Sequence, residues 1–420
     1  MSEKLIYLVQ RAIRKTWLRC ALFSLFGVAA VVSSKFLGPY IPRDIALKLG
    51  SDSIDSLLNI LASSMLTVSI FAASTMVSSV GAVANSATPR ASQLLIEDTT
   101  IQNTLAAFIG AFLYSVIALV GLHAHIYGDG GRLVLFGFTL AILLVVVIVL
   151  LSWINYLSVL GRLGETIRRV EKATTRAMDQ RLEKPFLGGR RQAPGTALGA
   201  HVVLAPDTGF VQHVSMDLLQ GCAEKGGLYL HLHVLPGAFV EPTMAIVSSA
   251  TPLDATTRKS IADALLIGSG RSFDHDPRFG LVVMGEIVAR ALSPAVNDPG
   301  TALDTMAAGV KVLGHWSREQ ARREAGGPVA VEHDRITVPA IREAGMVEDV
   351  FAPAARYGAQ AVEVGVALQC AMRSLQRLQG EIPHAARALS RYALQRAEGT
   401  GLPDCDLAQL RDAASGRGRR

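Results

Sequence analysis

The sequence predicts a membrane α-helical half with four transmembrane helices, followed by a cytosolic mixed α/β domain. Three observations carry that expectation. Ser56–Pro89 runs for 34 residues without one charged side chain, whereas about 20 apolar residues suffice to cross a bilayer core as helix. Of the 420 residues, 50% are hydrophobic and 18% charged, with a mean hydropathy of +0.34. That is too apolar for an ordinary soluble protein of this length and too charged for an all-membrane transporter. The charge is also unevenly placed: six charged residues fall between Ser53 and Ser158, and the chain from Val159 onward is rich in Arg, Asp and Glu. The split predicts a transmembrane domain over residues 1–160, a connecting helix and linker over 161–195, a cytosolic α/β domain over 196–400 and a flexible basic tail over 401–420.

Residues 1–19 read as a basic amphipathic lead, with Leu5, Leu8, Ile13 and Trp17 interspersed among Lys4, Arg11, Arg14, Lys15 and Arg19. The first span, about residues 20–40, is built on Cys20–Ser34, an apolar run of 15 residues between Arg19 and Lys35. Both flanking cations can snorkel, and Phe36–Pro39 lengthens the run. A cleaved signal peptide has the same basic start and short apolar core; without a convincing cleavage site after it, a retained span is the expectation. The second span covers about 56–86, the third 102–122 and the fourth 133–158, where Leu133–Leu151 carries no charge.

Orientation follows from the cations. They cluster before span one and again after span four, at Arg162, Arg168, Arg169, Lys172 and Arg176. The loops Lys35–Asp52 and His123–Arg132 carry fewer, balanced by Asp44, Asp52 and Asp129. The positive-inside rule then predicts a multi-pass protein of a bacterial inner membrane with both termini cytoplasmic. The net charge of +6, including Arg417, Arg419 and Arg420 at the tail, reads as a topology and lipid-headgroup signal. Membrane lipids are therefore expected partners and nucleic acid is not. Cys20, Cys222, Cys370 and Cys405 show neither metal nor disulfide spacing, which fits packing residues in a reducing compartment.

Beyond the membrane, Arg162–Leu187 reads as a polar helix continuing from span four, and Gly188–Gly195 as a linker. Strands are expected at His201–Leu204, Gly209–Val214, Leu228–Val234 and Met244–Ser248, with a short helix over Met216–Lys225. Helices are expected over Asp254–Leu266, Pro277–Leu292, Pro299–Ala321, Ala344–Gln379 and Pro383–Ala397. Val329–Val338 reads as a hairpin turning at Glu332–Arg335, and Ser415–Arg420 as a disordered end.

Two motifs stand out. Ser64, Thr67, Phe71, Ser74, Ser78, Gly81 and Asn85 are spaced alternately by three and four, which puts them on one stripe of the second span. Small and hydroxylated residues on a membrane helix mark close helix packing or a polar lining. A water-lined path through an assembly is the sharper reading, with Phe71 as its narrow apolar point. The other motif is Arg290–Met306, RALSPAVNDPGTALDTM. Ser293-Pro294 breaks one helix, Asn297 or Asp298 caps the next, Pro299 takes its first position and Thr301 sits in its first turn. With Arg290, these residues form a structural corner or a ligand site at a helix start. Together with RSFDHDPRFGLVVMGEIV before it, and with GFVQHV and PGAFVEPTMAIV further upstream, this segment resembles a bacterial family of predicted membrane proteins, domain of unknown function 2254. The resemblance covers nearly the whole chain and implies the four-span front and cytosolic module; it brings no activity.

Other residues offer less. Asp274, His275 and Asp276 are consecutive and cannot all face one metal; capping at Pro277 is the expectation. His201, His213, His231 and His233 could share a face of the sheet, although a polar outer face is the commoner outcome. His123 and His125 follow span three, where loop histidines are usually solvated. GSGRS, Gly268–Ser272, follows an expected helix and so lacks the strand that a phosphate loop needs. No catalytic constellation and no cofactor or metal site emerges, so an enzyme is not expected. The sequence points to a homo-oligomeric channel or transport-type protein with span two lining or bracing the path. The alternative is a membrane-anchored scaffold or sensor whose cytosolic domain binds a ligand or an unidentified partner.

Overall fold

A computed structural model describes residues 16–37, 51–193, 195–196, 199–327 and 329–416. The basic lead before Thr16, the loop 38–50 and the last four residues, with Arg417, Arg419 and Arg420, lie outside the described residues. The chain divides into two compact units between Arg162 and Leu163.

The first unit is helical: α1 Thr16–Leu37, α2 Ser51–Ser86, the short α3 Gln93–Ile96, α4 Thr99–His123 and α5 Asp129–Leu157. Among the described residues three helices are long and apolar enough to cross a membrane, namely Ile54–Ser86, Thr99–His123 and Gly130–Leu157. Helix α4 is the centre of the bundle, with 56% of its most apolar stretch buried against 28% for α2 and 17% for α5. The first apolar run forms the 22-residue α1, which lies against α4. A Cβ added at Gly27 would stand 3.0 Å from that of Tyr114, so a residue without a side chain sets the approach of the two helices. Leu58, Tyr114, Ala118 and Leu135 form one buried cluster with Val31, and Leu61, Met65, Phe108, Val146 and Trp153 another. Polar contacts fix the ends. Asp98 caps α4, accepting from the N–H groups of Thr100 and Ile101, and also accepts from the Tyr156 hydroxyl on α5 at 3.0 Å. At the opposite end His123 stands 3.6 Å from Asp55 of α2, so α2 and α4 run antiparallel. Spans three and four begin earlier than expected, because the cap at Asp98 and the turn before Asp129 extend the helices past their apolar cores.

The second unit begins with α6, Leu163–Glu183. It does not continue α5: the chain turns at Ser158–Arg162, where Gly161 has φ +80, a conformation that ends a helix. Ile167, Val170, Thr174 and Met178 are buried along one side of α6, as expected for a surface helix. Strands β1 Gly189–Arg191, β8 His333–Val338, β4 Leu230–Leu232, β6 Ala245–Ser249 and β2 His201–Leu204 form a sheet in that order. Within it β8 runs parallel to β1 and β4, while β6 is antiparallel to β4 and β2. A smaller antiparallel sheet places β3 Gly209–Val214 between β5 Phe239–Val240 and β7 Leu265–Gly268. Helices α7 Met216–Gly226 and α8 Ala255–Asp263 complete this part, whose core gathers Val211, Leu219, Leu230, Ile246, Val247, Ile261 and Ile336. A helical part follows: α9 Phe279–Ala291, α10 Pro299–Ala325, α11 Glu343–Tyr357, α12 Val362–Leu375, α13 Ile382–Glu398 and α14 Asp404–Ser415.

Several expectations are corrected. The supposed linker contains strand β1. The hairpin over Val329–Val338 is a single strand, because β8 finds a parallel partner on each side rather than folding back on its neighbour. The helix over Asp254–Leu266 stops at Asp263, and Leu265 onward pairs with β3. The long helix over Ala344–Gln379 is two, α11 and α12, divided around Gly358, where a side chain would collide with Val364. The flexible tail over 401–420 is helix at Asp404–Ser415, held by buried Leu410 against Gly365.

Candidate functional site

The stripe on α2 lies on the side turned away from its neighbours in the chain. Ile54, Leu58, Leu61, Met65, Ala72 and Val83 form the buried side. Ser64, Thr67, Phe71, Ser74, Ser78 and Asn85 are exposed and Gly81 is half-exposed, with nothing within 4 Å of a Cβ added there. Phe71 is 58% exposed. The Thr67 hydroxyl donates to the Ser63 carbonyl at 3.0 Å and Thr75 to Phe71 at 2.9 Å, so these two are satisfied within the helix. Ser64, Ser74, Ser78 and Asn85 have no hydrogen-bond partner among the described residues. In hydrocarbon such groups are costly unless another surface or water meets them. A polar strip interrupted by Phe71 and Gly81 therefore faces outward from a helix whose other outward residues, Leu66, Ile70 and Val77, suit lipid.

The signature at Arg290–Met306 folds as a closed corner between α9 and α10. Ser293 ends α9, its hydroxyl donating to the Arg290 carbonyl at 2.7 Å. The N–H groups of Val296 and Asn297 return to the Ser293 carbonyl, and that of Asp298 to the Ala291 carbonyl at 2.8 Å. Asn297 has φ 47, in the left-handed region that asparagine tolerates better than most residues. Asp298 is the cap: one carboxylate oxygen accepts from the Thr301 N–H at 3.0 Å and the other from the Thr301 hydroxyl at 2.6 Å. Those bonds hold its carboxyl below the usual range, with Pro299 at the first helical position. The corner satisfies itself. Pro294, Ala295, Val296 and Asn297 project from it, and the Nε of Arg290 is buried without a partner among the described residues.

FDHDPRFG is an ionic joint rather than a metal site. Buried Asp276 accepts from the Arg271 Nε at 2.7 Å and from the Arg278 N–H at 3.1 Å; the helix itself starts two residues later than expected, at Phe279. Arg278 makes two hydrogen bonds to Asp349 of α11, at 2.8 and 3.0 Å, and Asp349 keeps its guanidinium protonated further above the usual range. The four histidines do not gather at one place, although His231 and His233 stay neighbours. His231 hydrogen-bonds Thr337 at 2.7 Å and His233 bonds Ser248 at 2.8 Å, while His213 lies on the other sheet with its ring centre 4.9 Å from that of His275. Burial, then neighbouring His231, lowers the pKa of His233. Among the described residues no three His, Cys, Asp or Glu side chains are grouped to hold a metal. GSGRS does follow a strand, β7, contrary to expectation, but Gln212 packs over it and donates to the Gly270 carbonyl at 2.8 Å, so the loop is filled.

Sequence comparison places this geometry in context. Residues 13–374 match the family described as Predicted membrane protein (DUF2254). Uncharacterized proteins of Mycobacterium bovis and Mycobacterium tuberculosis are each 26% identical over 224 residues, a match covering 50% of this chain and 42% of theirs. The alignment thus spans less than half the length of these relatives. No solved structure matches the chain.

Proposed function

The chain belongs to the DUF2254 family of predicted membrane proteins, and from that premise we propose a homo-oligomeric channel or transport-type protein of the bacterial inner membrane. Four spans cross the bilayer, α1, α2, α4 and α5, and both termini are cytoplasmic. Copies assemble around an axis with the stripe of α2 turned inward. One observation carries the reading: Ser64, Ser74, Ser78 and Asn85 point away from their own bundle without hydrogen-bond partners. A second protomer or a water column supplies what lipid does not. Phe71 stands near the middle of the helix and forms the apolar constriction, which gates by dewetting.

The test pairs assembly with conduction. Protein with cysteine at Ser74 should cross-link between copies, and reconstituted Phe71→Ser protein should conduct where the native protein is closed. Assembled but silent Phe71→Ser protein, or a cysteine at Ser74 that labels from lipid and never cross-links, would overturn the reading. A second reading, a membrane-anchored sensor, is favoured by a cavity in the second unit.

A further inference from the structure

We infer that the cavity beside strand β1 is a binding site for a small organic anion, a phosphate or carboxylate carried on an apolar body. Nothing in this inference rests on conduction through the membrane unit. The cavity has a volume of about 820 Å³, within the range of sites that hold drug-sized ligands. It lies between the ends of α6 and α10 and the outer edge of β1, which among the described residues has β8 as its one neighbour in the sheet.

Four arginines line it: Arg181 of α6, Arg190 and Arg191 of β1, and Arg323 of α10. Arg181 is 7% exposed, and its one hydrogen bond among the described residues is to the His275 carbonyl at 3.2 Å. Burial lowers its pKa to about 10 against the opposing pull of Asp276, so it remains a cation at neutral pH. Asp276 is itself bound by Arg271 at 2.7 Å, and no ion pair among the described residues ties Arg181 down. The Nε of Arg323 is buried without a partner among the described residues. Guanidinium groups with unmet donors fit phosphate and carboxylate oxygens two at a time.

The acidic groups of the lining do not cancel this set. Glu343 is occupied: it accepts from the Trp316 indole N–H at 3.0 Å and from the Glu381 N–H at 2.8 Å. Glu324 accepts from Gln320 at 3.2 Å; Glu324 and Glu381 are exposed, as are Arg190 and Arg191, so four guanidinium groups meet three carboxylates of which one is occupied. The apolar wall includes Val329 and Val331, each 48% exposed, together with Pro339 and Ile341. The arginines would hold the anion and this wall its body. Phe186, Leu187 and Gly188 carry φ of 52, 56 and 79, a left-handed turn rare outside glycine. That turn delivers Arg190 and Arg191 to the cavity, and such backbone is common at ligand clamps.

Calorimetric titration of the full-length protein in detergent tests the site, with phenyl phosphate and inorganic phosphate as probes. Phenyl phosphate should bind saturably, and inorganic phosphate at least tenfold more weakly. The double variant Arg190→Ala/Arg191→Ala should lose at least tenfold in affinity at an unchanged melting temperature; if that variant does not fold, Arg323→Ala takes its place with the same expectation. Absence of saturable phenyl phosphate binding, equal affinity for the two probes, or unchanged affinity in a folded variant would overturn the inference. Conductance of Phe71→Ser protein is measured separately, so either proposal can fail alone.

Discussion

Replacing Asp298 by alanine tests whether the signature corner is architecture or ligand site. The carboxylate makes two contacts, to the Thr301 N–H at 3.0 Å and to the Thr301 hydroxyl at 2.6 Å. Alanine removes both and leaves a first-turn donor of α10 without its cap, which costs about 1–2 kcal/mol. For a unit of this size that corresponds to a fall in melting temperature of roughly 2–8 °C. Asp298→Asn keeps an acceptor oxygen and should lose less than half as much. The pH dependence gives an independent check. Thr301 holds the Asp298 carboxyl below its ordinary range in the folded state. The stability this contributes is therefore present above the ordinary carboxylate pKa and is lost as pH falls through the folded value. The gap between native and Asp298→Ala protein should be complete at neutral pH and close below about pH 4. Amide hydrogen exchange of peptides covering Pro299–Met306 reads the same cap locally, and should quicken in the variant. An unchanged melting temperature and exchange rate, with activity abolished, would refute the capping argument and make Asp298 a ligand-binding residue.

Two further tests address the packing and the topology. A Cβ at Gly285 of α9 would run into the Asp349 carbonyl of α11, so Gly285→Val should force these helices apart and cost about 1–3 kcal/mol, read as a lower melting temperature; a neutral variant would refute the packing. Reporter fusions after Val159 and within Gly128–Arg132 should report opposite sides of the membrane, and agreement between them would refute the four-span topology.

The helices of the first unit were legible, three of them long and apolar enough to cross a membrane among the described residues, because lipid leaves the sequence few options. Charge-free stretches must become helices, and only their ends shifted, where Asp98 and the turn before Asp129 added a turn outside the apolar core. The cap at Asp298 was legible for a similar reason, since its partner is three residues away. What escaped was non-local. GRRQAPG looks like a linker until β8 arrives as its neighbour, and Leu265–Gly268 looks like the end of a helix until β3 pairs with it. The arginine cavity is the extreme case. Arg181, Arg190 and Arg323 are scattered over more than 140 positions, and no spacing rule joins an α6 terminus, a sheet edge and the end of α10.

The place of β8 in the larger sheet has a consequence for how the protein is made. Among the described residues strand β1 has no sheet partner other than β8, and more than 140 residues separate Gly189 from His333. A nascent chain emerging from the ribosome therefore carries β1 as a bare edge through the synthesis of every element up to α10. Parallel pairing at such separation is slow, because the intervening chain must be confined before any ladder bond forms. The second unit closes its main sheet only once Val338 has been delivered, and unpaired edges invite association with other chains in the meantime. A chain interrupted after α10 would hold α6, two of the three inner strands, β4 and β6, and the whole signature corner, yet leave β1 with Arg190 and Arg191 without its strand partner. Completion of the larger sheet therefore waits for β8, and a chain that stops before it keeps β1 as an open edge.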